Sequence, residues 1–189
     1  MMRRSKLREV STFAQTNKMA ETLSIVLSAP KGVQKTGQPV EISIEVCNIS
    51  KSPVNIVGVL DGSETGVRFP HYLPEIKASV EFELPEMEVC GTAGPLRTSD
   101  FRLLKPKECF DPTKSAGEAS YLPLFTFQNF RPNAAGLYEF SLTLSTESKR
   151  DEQWLGIVGY PGEEKVLELL KKMPLLTVKS NVLTIEVEA

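Results

Sequence analysis

Residues 138–145 alternate without a break. Tyr138, Phe140, Leu142 and Leu144 fall on one side, and Glu139, Ser141, Thr143 and Ser145 on the other. A period of two with one apolar face predicts a half-buried strand, and Pro132 to Gly136 supply the turn that feeds it. The same rule predicts a strand over 40–48, with Val40, Ile42, Ile44 and Val46 opposite Glu41, Ser43, Glu45 and Cys47. Residues 22–28 read as a first strand ended by Pro30 and Gly32, and Val54–Leu60 as a more buried one. Ser79–Leu84 alternates again, with Val80, Phe82 and Leu84 inward. Shorter candidates are Asp100–Leu104, Glu108–Phe110 and Leu124–Phe127, and Val182–Val187 closes the series. The period changes once. Val166, Leu169, Leu170 and Met173 follow helical spacing after Pro161-Gly162-Glu163-Glu164, with Lys171 and Lys172 in the last turn and Pro174 as the stop. The apolar stripe of this helix is expected to pack on the strands or cap their open end. The final strand is expected to pair with the Tyr138 strand, although the connection exceeds hairpin length.

Many short strands separated by turn signals predict an all-β antiparallel sandwich of about seven to nine strands, with one short helix inserted before the last strand. The length of 189 residues suits one domain plus an extension. A body of about 150 residues buries enough surface to fold without a metal or disulfide. The formal charge of −2 gives no reason to expect nucleic acid or a membrane as partner. That charge is uneven: Arg3, Arg4, Lys6, Arg8 and Lys18 face Glu9 alone, a net +4 that leaves −6 on the rest. Residues 1–20 are therefore read as a flexible basic leader, and 21–189 as the domain. Met19 as a start, or an Arg-rich targeting peptide, are the two accounts of the leader. Leu23–Ser28 is too short and polar for a secretory signal, and no window approaches the ~18 apolar residues of a membrane helix.

Cys47, Cys90 and Cys109 lie far apart and have no neighbouring Cys or His pair of the zinc-binding kind. Reduced thiols and a cytoplasmic location are the corresponding expectation. Asn48-Ile49-Ser50 is then a turn, and no metal or cofactor is expected.

Residues 58–75 form the longest irregular segment in this reading, and long loops often carry function. It holds His71, the only histidine, so any imidazole chemistry would centre there. Asp61, Glu64 and Glu75 could orient it, and Ser63, Cys90 or Cys109 could serve as nucleophile. No Gly-x-Ser-x-Gly elbow is present. Asp61-Gly62-Ser63-Glu64 offers oxygen ligands but lacks the spacing of a calcium loop. Cys90 to Pro95 is glycine-bearing but lacks the spacing and lysine of a phosphate loop. Aromatic residues and arginines gather in loop-like sequence. Arg68, His71, Tyr72, Tyr121, Phe130, Arg131 and Trp154 are the candidate binding residues, because Tyr, Trp and Arg concentrate interface energy.

Three turn segments carry a resemblance: Asn48-Ile-Ser-Lys-Ser-Pro-Val54, Leu104-Lys-Pro-Lys-Glu108 and Asn133-Ala-Ala-Gly136-Leu-Tyr138. With them the chain resembles bacterial immunoglobulin-like domains and, within that class, is similar to intracellular proteinase-inhibitor-type domains. The resemblance implies an immunoglobulin-like sandwich with a tyrosine corner at Tyr138. Lys107 stands where the related turn carries glycine, and Phe140 stands where an antibody domain carries cysteine. The expected function is a non-catalytic protein-interaction module. The alternatives are an intracellular proteinase inhibitor and a small hydrolase or metal-dependent enzyme centred on His71.

Overall fold

The computed structural model describes residues 22–85 and 93–189. The basic leader and Cys90 lie outside the described residues. Ten strands and three short helices follow in order. β1 is Leu23–Ser28, β2 Gln34–Lys35, β3 Ser43–Asn48, β4 Val54–Val57 and β5 His71–Ala78. After a 3-10 turn at Thr98–Asp100 come β6 (Phe101–Leu104), β7 (Cys109–Phe110), α1 (Phe125–Asn129) and β8 (Gly136–Ser145). α2 (Glu152–Leu155), α3 (Glu163–Leu170), β9 (Thr177–Lys179) and β10 (Leu183–Glu188) complete the chain.

The strands form three sheets. β1-β3-β7 is one, β2-β10-β8-β5 with β9 beside β8 is the second, and β4-β6 is a pair. All pairings are antiparallel except β10 with β2. Buried side chains from all three sheets join one apolar cluster. The alternation in β8 holds on that side, with Tyr138, Phe140, Leu142 and Leu144 buried. The expected pairing of the last strand is present, with Leu183 opposite Phe140 and Ile185 opposite Tyr138.

Two asparagines tie the elements together. Asn48 is fully buried. Its amide donates to the Ser52 and Leu104 carbonyls at 2.8 and 2.9 Å, and its side-chain oxygen accepts from Ser50 N–H at 2.9 Å. One side chain thus joins the end of β3 to the end of β6, satisfying backbone groups that burial would otherwise strand. Asn181 acts as a one-residue strand beside β1. It accepts from Leu27 N–H at 2.8 Å and donates to Leu27 C=O at 3.1 Å, closing part of an edge that would otherwise be open.

Four expectations are corrected. Ser79–Leu84 is no strand. The strand lies earlier, at His71–Ala78, so the long irregular segment ends at Pro70. Pro74 lies within this strand. β5 is the outer strand of its sheet, and Tyr72 N–H, two residues away, turns to Ser63 C=O at 3.0 Å, so the missing donor falls on the unpaired side. In place of the strand expected over Leu124–Phe127, a helix starts at Phe125, and the Glu64 carboxylate takes the Phe125 and Thr126 N–H groups at 2.7 Å each. A carboxylate 61 residues away caps a turn whose own first residue, Leu124, has no side chain to do so. The strand expected over Val54–Leu60 ends at Val57. Gly58 then passes against Tyr121, where an added Cβ would meet the ring at 2.5 Å.

The fourth correction concerns the thiols. Cys47 and Cys109 stand opposite each other in the β3–β7 ladder with Cα atoms 4.0 Å apart, and they form a disulfide. Their separation of 62 residues hid a pair that only strand register creates. The free-thiol expectation fails for both, and with it the redox argument for the cytoplasm. Among the described residues no helix is long and apolar enough to cross a membrane.

Lys107 adopts φ 67°, a left-handed conformation that a glycine would take without strain. The Tyr138 hydroxyl turns back to donate to Ala134 C=O at 2.8 Å, four residues upstream. Tyr138→Phe keeps the ring and removes that donor. It should cost about 1–2 kcal/mol in urea unfolding by leaving the carbonyl without its partner. A variant as stable as the parent would show that the hydroxyl holds nothing.

Candidate functional site

The segment after β4 turns twice and re-enters the core at Arg68, which is only 4% exposed. A buried guanidinium needs acceptors. Arg68 Nε donates to Trp154 C=O at 2.8 Å and Nη2 to Leu155 C=O at 3.3 Å, at the C-terminal end of α2, where Leu155 C=O also accepts from Leu96 and Ile157 N–H at 3.0 and 2.8 Å. Phe69 N–H donates to Gln153 C=O at 2.8 Å, so the two segments run side by side. Gly156 makes the approach possible. Its φ is 72°, and an added Cβ would sit 2.6 Å from Gly94 C=O and 3.2 Å from Arg68 Cζ.

A cavity of about 220 Å³ opens beside Arg68, lined among others by Leu60, Asp61, Pro95, Arg97, Asp100 and Leu122. Asp100 is buried and already engaged, accepting from Arg97 N–H at 2.8 Å and Ser120 N–H at 3.4 Å. Among the described residues no carboxylate comes within 4.0 Å of the Arg68 nitrogens. Burial lowers the Arg68 pKa, while the fields of Asp100 and Asp61 act in the opposite sense.

The seven residues expected to bind a partner divide by position. Arg68, Tyr72, Tyr121 and Trp154 converge on this end, but all four are buried. Their polar tips are used inside: Tyr72 OH donates to Val57 C=O at 2.7 Å, and Tyr121 OH to Asp100 C=O at 2.6 Å. Trp154 Nε1 donates to Ser148 C=O at 3.4 Å. Burial raises the Tyr72 pKa well above its ordinary value and that of Tyr121 to about 12. Phe130 lies elsewhere, packed edge-on against Phe82, Tyr138 and Phe140, and is also buried. Arg131 is exposed and closes the end of α1 through the Gln128 and Phe130 carbonyls, each at 2.9 Å. Of these candidate binding residues, Arg68, Tyr72, Tyr121, Phe130 and Trp154 are buried; large aromatic side chains fill the interior because that removes the most apolar area from water.

His71 is half-buried and stacks on Phe69 with ring centroids 3.7 Å apart. Burial lowers its pKa, which favours the neutral ring at pH 7. Among the described residues no acid or hydroxyl is hydrogen-bonded to it, so the orienting group that imidazole catalysis needs is not in place. Ser63 Oγ accepts from Leu60 N–H at 3.0 Å and Glu64 caps α1, and among the described residues neither is hydrogen-bonded to His71. No cluster of three metal-ligating side chains occurs among the described residues.

Sequence patterning missed Asp61, Arg97 and Asp100 as companions of Arg68. Their only signal was charge placed near Gly and Pro turns, and nothing in spacing joins them.

Arg68→Met should cost about 2 kcal/mol or more in denaturant unfolding, because the buried Trp154 carbonyl loses its charged donor. His71→Ala, removing a ring that is only partly covered, should cost less than about 1.5 kcal/mol. Equal losses in the two variants would contradict the clamp.

No family model matches the chain, and neither the curated proteins nor the solved structures contain a match to it.

Proposed function

We propose that this chain is an immunoglobulin-like β-sandwich that works as a non-catalytic binding module for another protein, and that it docks by the end carrying Arg68. The supporting observation is the apolar exposure around that buried arginine. Val67, next to it in sequence, is 69% exposed, and Ile157 and Val158, which follow Gly156, are 48% and 61% exposed. Apolar side chains left in water beside a desolvated arginine match the composition of protein interfaces. Support for the fold assignment comes from the Tyr138 hydroxyl turned back on Ala134 and from Lys107 in the left-handed turn position that similar domains give to glycine. The pairing of β10 with β8 across the α3 insertion adds to it.

The Cys47–Cys109 bridge favours an oxidising compartment over the cytoplasm, since reducing cells keep thiols apart. Alkylation of unfolded protein, taken from its source without reductant, should leave both cysteines unlabelled. Labelling of both would return the module to a reducing compartment.

The docking face is tested by placing a photoreactive residue at 158 and, as a control, at 137 on the far end of β8. The reading expects one protein captured from 158, lost when Ile157→Asp is added, and none from 137. Equal capture from both positions would contradict a specific face. Capture of a proteinase at 158 would move the assignment to the inhibitor alternative.

A further inference from the structure

Arg68 makes two backbone hydrogen bonds, through Nε and Nη2. Its third nitrogen, Nη1, has no hydrogen-bond partner among the described residues. No enclosed side-chain nitrogen or oxygen there lacks a partner. Nη1 is therefore not sealed from solvent, and Arg68 is one of the residues that line the cavity. A buried cation with one guanidinium nitrogen unpaired among the described residues thus forms part of a pocket wall. Arg97 lines the same pocket and forms no ion pair among the described residues.

The remaining walls narrow the ligand. Leu60, Pro95 and Leu122 are apolar and suit a hydrocarbon group. Asp61 and Asp100 balance the two arginines, so the cavity is formally neutral and has no surplus positive charge to offset the desolvation of a dianion. Its 220 Å³ falls below the ~300 Å³ lower end of drug-sized sites. Guanidinium donors match carboxylate geometry.

We propose that this cavity binds a short-chain monocarboxylic acid, with the carboxylate on the Arg68 and Arg97 guanidinium groups and the alkyl chain against Leu60, Pro95 and Leu122. The site is independent of protein docking. It is a small-molecule site whether or not a partner covers the face around it.

The test uses the full chain with acetate, propionate and butyrate as probes, against sulfate and chloride at matched ionic strength, read by calorimetry and melting temperature. The acids should bind saturably, and affinity should rise about fourfold per added methylene. Sulfate should bind more weakly than acetate, and Asp61→Asn should narrow that difference. Arg97→Gln changes an exposed side chain, so the fold should survive while butyrate affinity drops about tenfold. Arg68→Lys keeps the charge but loses the fork, and should weaken butyrate at least as much if its melting temperature stays near the parent's. Three results would each overturn the proposal: no saturable effect from any acid, sulfate tighter than acetate, or unchanged butyrate affinity in Arg97→Gln. A peptide ending in glutamate that binds tighter than butyrate would place the carboxylate on a polypeptide and overturn the small-acid assignment.

Discussion

The buried guanidinium of Arg68 is the constraint around which this end of the molecule is arranged. A cation taken from water must recover its lost hydration in hydrogen bonds, or the fold pays several kcal/mol for it. Two carbonyls at the end of α2 supply them. That demand brings the chain before β5 alongside α2, which requires Gly156 at the closest approach and leaves Ile157 and Val158 outside. Trp154 and Phe69 pack with centroids 5.6 Å apart over the join. The cavity and the exposed apolar rim thus both adjoin this one placement.

Elsewhere the same accounting is met by asparagines and tyrosines. Asn48 holds the ends of β3 and β6, Asn181 occupies the edge of β1, and Tyr72, Tyr121 and Tyr138 each return a hydroxyl to a backbone carbonyl. These side chains combine a packed body with a directional tip, so they fix register where apolar packing alone would permit sliding. Glu75 does this at the surface. Its hydrogen bonds to Lys77, Lys179 and Ser141 hold its pKa at about 2, but it lies in water and is screened, so it orients β5 and β9 more than it stabilises them.

What could be read from the chain followed from local period. β3, β8 and β10 alternate cleanly, and the Val166 stripe belongs to α3, because one face of each meets the core. What could not be read depended on distant groups. α1 is capped by a distant Glu64 that reaches Phe125, and Pro74 is tolerated because β5 has an outer edge. The Cys47–Cys109 bond needs the β3–β7 register. The burial of the candidate binding residues was not legible for a related reason: Tyr, Trp and Arg in loop-like sequence signal either an interface or a closed end of the core, and periodicity cannot separate the two. Burial assigned Tyr72, Tyr121, Phe130 and Trp154 to the core and left Val67, Ile157 and Val158 at the surface.

The central claim is that Arg68 is clamped inside by its hydrogen bonds to the end of α2. The most direct measurement is exchange of arginine Nε hydrogens by nitrogen-15 NMR at neutral pH. The account predicts one slowly exchanging Nε–H, assigned to Arg68 by its loss in Arg68→Lys, against fast exchange for exposed Arg97 and Arg131. Exchange of Arg68 as fast as those two would contradict the account.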